Sequence, residues 1–300
     1  MKNNKTKSYE KYKEWLKLNT ESLHGKVAAI TGSTGGLGKE LSRYLAHLGA
    51  SLILVNRNPK LSESQKEELL SEFPEISVKI IAADMADIES VKSATKLLLS
   101  EKIDIFISNA GAYSIPRKIC STGYDNVYQI NFVSPYYMIK KLLPGLESVG
   151  GRVVIVGSIA HNYSKTRTES VDFCDVERAS RVYGNAKRYL MYSAFALAED
   201  FPSVKISVTH PGITFTGITS HYPKLIFMVI KHPMKLIFMK PEKAALSILS
   251  GVFGSTEKYE WIGPRVFDVW GLPSKKRLDT AKEEEIKFIA STAERIYSEL

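Results

Sequence analysis

Short apolar runs alternate with longer amphipathic stretches along most of the chain. The runs are VAAIT (27–31), LILV (52–55), VKIIA (78–82), IDIFIS (103–108), RVVIVG (152–157) and KISVT (205–209). Apolar residues at nearly every position are typical of strands that are covered on both faces. The stretches between the runs are long enough for crossover helices. The pattern predicts an α/β fold with a single doubly wound, Rossmann-type parallel sheet and helices on both faces.

The two ends of the chain predict additions to this sheet. Residues 1–24 are polar with spaced aromatic residues and leucines, which predicts an N-terminal helical extension before one domain over 25–300. After residue 240 the pattern is again helical. A closing amphipathic helix is predicted by Ile286, Ile289, Ala293, Ile296 and Leu300. Residues 213–240 are interpreted as a substrate lid.

Charge and cysteine content narrow the class of protein. The net charge is +9, but basic residues are scattered among acidic ones, and no basic run is interleaved with aromatic residues. This distribution argues against a nucleic-acid partner and leaves an anionic cofactor as a simpler explanation for part of the charge. Cys120 and Cys174 have neither metal-ligand nor disulfide spacing, so we expect no metal and a reducing compartment.

Membrane and secretory signals are not recognised in the sequence. The N-terminus has no apolar core of the kind that a secretory signal needs. The longest apolar stretch, residues 225–239, is divided by Lys231, His232, Pro233 and Lys235. A membrane-spanning helix needs about 18 uninterrupted apolar residues. We therefore expect a cytoplasmic protein.

A glycine-rich turn follows the first predicted strand and precedes a helical pattern. It reads Thr31-Gly32-Ser33-Thr34-Gly35-Gly36-Leu37-Gly38. A pyrophosphate binds to backbone N–H groups at a helix N-terminus, and side chains would obstruct that approach. A glycine run alone is weak evidence, but its position between strand and helix predicts dinucleotide binding. The predicted contacts are Gly32, Ser33, Thr34, Gly36, Leu37 and Gly38.

The end of the second strand indicates which dinucleotide binds. A site for NAD(H) usually has an acidic residue there, against the 2′-hydroxyl of the ribose. This chain has Asn56-Arg57-Asn58 instead. The Arg57 guanidinium can bind a 2′-phosphate, which a carboxylate would repel. Arg57 therefore predicts NADP(H) as the cofactor.

A Tyr four residues before a Lys places both side chains on one face of a helix, and this chain has four such pairs. Tyr9/Lys13 precedes the nucleotide-binding unit. Tyr136/Lys140 and Tyr137/Lys141 lie in a helix whose neighbouring residues indicate packing. Tyr183/Lys187 follows the fifth strand, which ends in Ser158. Because ligands bind at the carboxyl ends of parallel strands, Tyr183, Lys187 and Ser158 are the predicted catalytic residues.

These residue types suit the reduction of a carbonyl or the oxidation of an alcohol. A free phenol has a pKa of about 10, so it is neutral at pH 7. An ammonium at 4 Å would contribute at most about 4 kcal/mol at an effective dielectric of 20, or roughly three pKa units. We therefore predict that Lys187 lowers the pKa of Tyr183 toward the working pH. Ser158 is predicted to hold the substrate oxygen.

Together these motifs resemble the short-chain dehydrogenase/reductase family over roughly residues 25–255. The turn matches TGxxxGxG, Asn109-Ala110-Gly111 matches the NAG element, and Pro211-Gly212 matches the PG element. The resemblance implies that Asn131 is a fourth catalytic residue in a proton relay. It also implies cofactor contacts for Asp84 and Met85 near the adenine, for Asn109, Ala110, Gly111, Pro211 and Gly212, and for Thr214 or Thr216 near the carboxamide, besides Tyr183 and Lys187.

Within that family the chain is similar to the retinol-dehydrogenase-like branch. Tyr183 lies 25 positions after Ser158, and the intervening segment begins with Ile159-Ala160-His161. Gly157 stands where that branch usually has a first serine, and Ala186 stands where the family usually has a serine before the lysine. The resemblance also implies a homodimer or homotetramer formed through the fourth and fifth helices.

The substrate side is predicted to be apolar. Its predicted residues are Ser114, Tyr163, Phe215, Tyr222 and the stretch 225–239. They favour a steroid, a retinoid or a similar hydrophobic alcohol or ketone. For the stretch 225–239, three roles stay open: a lid, a dimer surface and a peripheral membrane contact.

Two other functions of the protein stay open as alternatives. One is a sugar-nucleotide epimerase or dehydratase, because Gly32, Gly35 and Gly38 also satisfy GxxGxxG, and the other is a catalytically silent NADPH-binding protein.

Overall fold

Eight strands form one sheet in the computed structural model, which describes residues 7–163, 178–214 and 238–300. The strands are β1 (Val27–Thr31), β2 (Ser51–Asn56), β3 (Val78–Ala82), β4 (Ile105–Ser108), β5 (Arg152–Val156), β6 (Lys205–Thr209), β7 (Glu260–Val266) and β8 (Trp270–Arg277). Their order is β3-β2-β1-β4-β5-β6-β7-β8. Strands β1 to β7 are parallel, and β8 pairs with β7 in the antiparallel direction. The doubly wound sheet is confirmed, with the order reversing between β1 and β4.

Helices cover both faces of the sheet. They are α1 (Ser8–Lys11), α2 (Lys13–Asn19), α3 (Gly36–His47), α4 (Pro59–Glu72), α5 (Ile88–Leu99), α6 (Asn126–Tyr128), α7 (Ser134–Ser148), α8 (Ala179–Asp200), α9 (Pro241–Phe253) and α10 (Glu283–Ser298). A π-helical segment, Gln129–Val133, joins α6 to α7, and a 3₁₀ turn, Ile159–Tyr163, follows β5. Local capping explains two of the starts: the side chains of Asn58 and Asp87 accept hydrogen bonds from the first turns of α4 and α5.

Successive residues of each central strand belong to opposite hydrophobic cores. In β1, Ala29 packs in the core under α5, α7, α8 and α10, whereas Ala28 and Ile30 pack in the core under α3 and α9. Strand side chains alternate between the faces of a sheet. A strand that is covered on both faces must therefore be apolar throughout, which is why the six runs were visible in the sequence.

The segment after residue 240 is only partly helical. The closing helix is confirmed as α10, with Ile286, Ile289, Ala293 and Ile296 buried. Residues 260–277, however, form the hairpin β7–β8, which the sequence analysis missed. The hairpin contains Pro264, Pro273 and Gly271, and β8 ends in three basic residues. Prolines and charges are common at the edge of a sheet, where one side of the strand needs no partner, but they hide the strand pattern.

The two N-terminal helices pack against the body of the protein. The ring of Tyr9 stacks on His47 of α3, with ring centroids 4.3 Å apart, and Leu16 is buried. Lys11 forms an ion pair with Glu242 of α9 at 3.2 Å. Among the described residues, no helix combines the length and the apolar character needed to cross a bilayer.

Candidate active site

A cleft of about 940 Å³ lies at the carboxyl ends of the parallel strands. Most of the residues predicted from the sequence line it: Gly32, Thr34, Gly36, Leu37, Gly38, Arg57, Asp84, Met85, Asn109, Ala110, Gly111, Ser158, Tyr183, Lys187, Pro211, Gly212 and Thr214. Ser33 and Asn131 do not line it. Thr216 lies outside the described residues. The turns after β1 to β6 therefore converge on one cleft, as expected at the point where the strand order reverses.

The glycine-rich turn leads directly into α3, which begins at Gly36. Gly32 has a φ of +69°, which favours glycine. A Cβ at Gly38 would lie 2.3 Å from the Gly32 carbonyl oxygen, so the turn can pack against the helix only without a side chain there. At Gly35 and Gly36 the nearest atoms to such a Cβ are 3.6 and 3.7 Å away. These two glycines leave room for an anion to approach the N-terminus of α3.

A buried polar network holds this turn from below. Asn56 Nδ2 donates to Ser33 Oγ at 2.8 Å and to Ser62 Oγ at 2.9 Å, and Thr34 N donates to Asn56 Oδ1 at 3.3 Å. Ser33 Oγ in turn donates to Gln65 Oε1 at 2.9 Å. The Ser33 side chain therefore points into the protein and not into the cleft, so a contact of Ser33 with the cofactor would have to come from its backbone. Sequence reasoning missed Asn56 because a buried asparagine has no distinctive local pattern.

Arg57 lies at the end of the cleft where the adenosine of a dinucleotide is expected. Its side chain is exposed and has no ion pair or hydrogen bond with any described residue. Asp84, on the next turn, accepts a hydrogen bond from Ala86 N at 3.0 Å, which fixes the carboxylate. The guanidinium is thus available to an anionic ligand at this end of the cleft.

Asn109 fastens the turn after β4 to the turn after β1. Its Nδ2 donates to the carbonyl oxygens of Thr31, at 2.9 Å, and Gly32, at 3.0 Å. Thr31 Oγ1 accepts from the backbone N–H groups of Asn109, at 3.0 Å, and Ala110, at 2.9 Å. These four bonds fix the floor of the cleft before any ligand binds.

Ser158, Tyr183 and Lys187 come together where β5 ends. Tyr183 and Lys187 lie one turn apart on α8, and both are buried. Lys187 Nζ donates to the Val156 carbonyl oxygen at 2.9 Å and lies 5.9 Å from the centroid of the Tyr183 ring. The Ser158 hydroxyl lies close enough to the Tyr183 phenol to lower its pKa. The structure thus brings together the three residues that the sequence analysis selected.

The pKa of Tyr183 is shifted in the direction opposite to our prediction. Burial raises it to about 12, and the Ser158 hydroxyl only partly opposes that effect. Burial also lowers the pKa of Lys187 to about 8. Both groups have lost their water, and desolvation disfavours the charged form of each. The prediction rested on a polar surrounding with an effective dielectric of 20, and the burial of both side chains removes that condition.

Asn131 lies in the π-helical segment between α6 and α7 and is fully buried. Its Nδ2 donates to the carbonyl oxygens of Ala112 and Val127, both at 2.8 Å. A Cβ at Gly111 would lie 2.8 Å from Asn131 Oδ1 and 3.4 Å from Lys187 Nζ. Asn131 and Lys187 therefore converge beneath Gly111, although Asn131 itself does not reach the cleft. Single π-helical turns occur often at functional sites.

The two Tyr–Lys pairs of α7 have packing roles. Tyr136 and Lys140 both bind Glu294 of α10. Lys141 Nζ lies 5.6 Å from the centroid of the Tyr137 ring and 5.3 Å from that of Tyr297. Both pairs therefore join α7 to α10, away from the cleft.

A second polar network, which the sequence analysis missed, connects the region around Ser158 and Lys187 to the C-terminal segment. Arg188, next to Lys187, donates two hydrogen bonds of 2.6 Å to the Glu285 carboxylate. It also donates to the carbonyl oxygens of His161, at 3.3 Å, and Thr280, at 3.2 Å. His161 is held by Ser158 O at 2.8 Å and Thr280 Oγ1 at 3.0 Å. Burial lowers the pKa of His161 to about 4, so its ring is neutral at pH 7.

The described part of the substrate side is largely apolar. Its lining residues include Tyr113, Ile115, Ile159, Ala160, Tyr163, Ile213 and Phe238. The Tyr113 ring meets the Tyr183 ring edge-on, with centroids 5.2 Å apart. Ser114 does not line the cleft, although both of its neighbours do. Phe215, Tyr222 and most of the predicted lid lie outside the described residues.

Fold and site together define a dinucleotide-binding protein of the doubly wound class. Residues 26–224 match the family model for short chain dehydrogenases. The chain therefore belongs to the short-chain dehydrogenase family of oxidoreductases, whose members bind nicotinamide dinucleotides. This confirms the resemblance seen in the sequence.

Several proteins resemble two thirds or more of the chain. The chain is 30% identical over 219 residues to short-chain dehydrogenase TIC 32 A, chloroplastic, of Brassica napus. The matched residues make up 67% of this chain and 68% of that protein. It is 26% identical over 257 residues to retinol dehydrogenase 12 of Bos taurus, covering 81% of each. In structure it is similar to a short-chain dehydrogenase from Sphingobium yanoikuyae in complex with NADPH. That match has a TM-score of 0.60 and 19% identity, and it covers 75% of this chain and 84% of the other.

Proposed function

We propose that this protein is an NADP(H)-dependent oxidoreductase that interconverts a carbonyl and a primary or secondary alcohol on a hydrophobic substrate. The observation that carries the proposal is the convergence of Ser158, Tyr183 and Lys187 at the bottom of the cleft. A proton donor, a hydrogen-bond donor and a cation at one point are what carbonyl reduction requires besides a hydride.

The cleft fits a nicotinamide dinucleotide. Gly35 and Gly36 leave space at the N-terminus of α3 for the pyrophosphate. Arg57 would bind the 2′-phosphate, because its guanidinium is exposed and has no carboxylate partner among the described residues. Asp84 and Met85 would contact the adenine, and Thr214 would lie near the carboxamide. When bound, the cofactor supplies or accepts the hydride.

The residues of this chain would handle the proton. At pH 7 the Tyr183 phenol is neutral, because burial raises its pKa, so it can donate a proton to a carbonyl oxygen. Ser158 would donate a hydrogen bond to the same oxygen. The Lys187 ammonium would stabilise the phenolate that remains. Asn131 would hold the 110–112 turn in place beside Lys187, because it bonds both the N–H and the carbonyl oxygen of Ala112.

The preference for a hydrophobic substrate is supported by the lining of the cleft. Ile115, Ile159 and Ile213 border the space beside Tyr183. Relatives named retinol dehydrogenase 12 lead to the same substrate class. In this proposal the segment 213–240 closes over the substrate, residues 1–24 form an extension to the domain 25–300, and two or four copies associate.

Replacement of Tyr183 tests the proposal. We expect Tyr183→Phe to reduce NADPH-dependent reduction of hydrophobic ketones by roughly 10³-fold or more, since it removes the proton donor. NADPH binding, followed by cofactor fluorescence, should persist. Tyr137→Phe is the matched control, because Tyr137 also precedes a lysine by four residues but lies on α7 near Tyr297. It should retain full activity.

Three results would contradict the proposal. If Tyr183→Phe kept wild-type turnover while folding normally, the assignment of the proton donor would be wrong. Wild-type protein that binds NADPH but reduces no substrate in a broad panel of ketones would instead be a silent binding protein. Equal activity on small polar ketones would remove the hydrophobic substrate class.

A further inference from the structure

Four large apolar side chains are exposed together at the turn between β7 and β8. We call Val266, Phe267, Trp270 and Leu272 the hairpin tip. Phe267 is 91% exposed, and the other three are nearly half exposed. Elsewhere in the described residues, exposed large apolar side chains stand alone or, at Leu97 and Leu99, as a pair. Scattered apolar residues on a surface need no explanation, but a cluster marks an interaction site.

Phe267 is also an unfavourable residue for this turn. Val269 N donates to Val266 O at 3.0 Å, and the two central residues, Phe267 and Asp268, have φ angles of +49° and +56°. Positive φ at both central positions favours Asn, Asp or Gly and disfavours a bulky side chain. Phe267 therefore weakens the turn and contributes no burial to the fold. A residue that breaks a local rule without a structural gain indicates a role outside folding.

The charge around the hairpin tip is positive. Lys243 Nζ lies 5.0 Å from the centroid of the Trp270 ring. Arg265 is exposed and has no ion pair with a described residue. The single acid of the turn, Asp268, is paired with Lys276 at 2.8 Å. The apolar side chains are thus bordered by Arg265 and Lys243, neither of which pairs with a carboxylate in the described part of the chain, and the net charge of the chain is +9.

The hairpin tip adjoins the substrate end of the cleft. A Cβ at Gly212, which lines the cleft, would lie 2.7 Å from the Val269 carbonyl oxygen and 3.0 Å from Met239. The turn after β6 therefore rests directly on the base of the hairpin tip. Whatever binds the hairpin tip lies close to the entrance on that side.

We propose that the hairpin tip docks on the surface of an anionic lipid bilayer. Phe267 and Trp270 enter the interfacial region, where aromatic side chains are favoured, while Arg265 and Lys243 bind lipid headgroups. This contact is peripheral and shallow. This surface is separate from residues 225–239, the stretch for which the sequence left a membrane contact open. Of that stretch the structure describes only Phe238 and Met239.

Co-sedimentation of the full chain with lipid vesicles tests the docking surface. The probes are vesicles of phosphatidylcholine alone and of phosphatidylcholine with phosphatidylserine. We expect binding to the anionic vesicles, weakened by added salt. Phe267→Asn should weaken it roughly tenfold, because it removes an apolar group from the interface. Asn favours the φ of this position, so Tm should stay constant or rise, and loss of binding cannot be attributed to unfolding.

Leu97→Ser is the matched control. Like Phe267, Leu97 is an exposed large apolar residue, but it lies on α5, outside the hairpin tip. Its replacement should leave vesicle binding unchanged. A shift of tryptophan fluorescence to shorter wavelength on binding, absent in Trp270→Phe, would identify the hairpin tip as the part that enters the lipid.

Three outcomes of the vesicle assays would overturn the docking surface. They are no binding of the wild type to anionic vesicles, equal binding by Phe267→Asn, and equal binding to neutral vesicles. Self-association that Phe267→Asn abolishes, without vesicle binding, would assign the tip to a second copy of the chain and would also overturn it. All measurements are made without cofactor or substrate, so they stand apart from those that test the oxidoreductase activity.

Discussion

The two halves of the cleft are held in shape by different kinds of contact. The nucleotide half (residues 32–38, 56–58 and 84–85) is fixed largely by bonds between neighbouring strand–helix units, such as those of Asn56 to Ser33 and Ser62, besides the more distant bond of Asn109 to the Gly32 carbonyl oxygen. The reaction half (residues 156–163, 183–187 and 211–214) depends on distant partners. Arg188 binds Glu285, which lies 97 positions later, and His161 binds Thr280, 119 positions later.

This difference indicates how each half can vary. The phosphate-binding turn works wherever a strand, a glycine-rich turn and a helix occur in succession. Helix α8, which contains Tyr183 and Lys187, is also the helix that α10 covers and that Arg188 joins to the C-terminal segment. The geometry of Tyr183 and Ser158 is therefore linked to residues 280–285, far from any catalytic motif.

The largest effect is expected from breaking the Arg188–Glu285 pair. Arg188→Met leaves the largely buried Glu285 carboxylate without its partner, so the free energy of unfolding should fall by about 3 kcal/mol. Because His161 and Thr280 lose a donor as well, kcat should fall while KM for NADPH stays near the wild-type value. Urea denaturation and steady-state kinetics measure the two effects.

Arg43→Met is the control for the nucleotide side. Arg43 pairs with Glu40 and Glu72 at the more exposed surface of α3, so its loss should cost less than about 1 kcal/mol. An equal loss of stability in the two variants would refute the contrast between the halves. The contrast would also be refuted if, in Arg188→Met, KM for NADPH rose by as large a factor as kcat fell.

The next largest effect is expected at Gly111, where the halves meet. In Gly111→Ala the new methyl would lie 2.8 Å from Asn131 Oδ1. Asn131 cannot easily move away, since its Nδ2 is held by two carbonyl oxygens. The turn and Lys187 should therefore be displaced, and we expect that displacement to lower kcat about 100-fold. Gly145→Ala on α7 meets no atom within 4 Å and should keep full activity. Wild-type kcat in Gly111→Ala would show that this close approach is unimportant.

A smaller effect, confined to the nucleotide half, is expected at Arg57. Arg57→Asp should reduce the preference for NADPH over NADH by roughly 10- to 100-fold, because a charge-assisted pair is replaced by repulsion. Lys60→Asp makes the same change of charge on α4 but outside the lining of the cleft, and it should alter the preference little. Unchanged preference in Arg57→Asp would contradict the assignment of NADP(H), without affecting that of Tyr183.

The sequence predicted the parts of the molecule that depend on local pattern. The six central strands, α10 and the glycine-rich turn each have a periodicity or a contiguous motif. The hairpin β7–β8 was missed because edge strands need no continuous apolar run. The Arg188–Glu285 pair was missed because no local signal connects two charged residues that only the tertiary fold brings together.

The direction of the Tyr183 pKa shift could not be predicted either. Sequence gives the identity of the neighbouring cation but not the distance to it or the degree of burial. In the structure, Lys187 Nζ is 5.9 Å from the ring centroid, and both side chains are buried. The orientation of Ser33 has a similar origin, because its contact with Gln65 depends on how α4 packs.

The smallest effect that we predict is a change in activity with pH, and it distinguishes the titration of Lys187 from that of Tyr183, the two proposed catalytic groups. For carbonyl reduction the active form has a neutral Tyr183 and a charged Lys187. The pKa of Lys187 is lowered to about 8, whereas that of Tyr183 is raised to about 12. The rate should therefore be level at neutral pH and fall as pH rises through about 8, when the ammonium loses its proton. Tyrosinate absorbance, taken as wild type minus Tyr183→Phe, should not rise over the same range. If it rose together with the loss of activity, Tyr183 would be the group that titrates, and the lower pKa predicted from the sequence would be right.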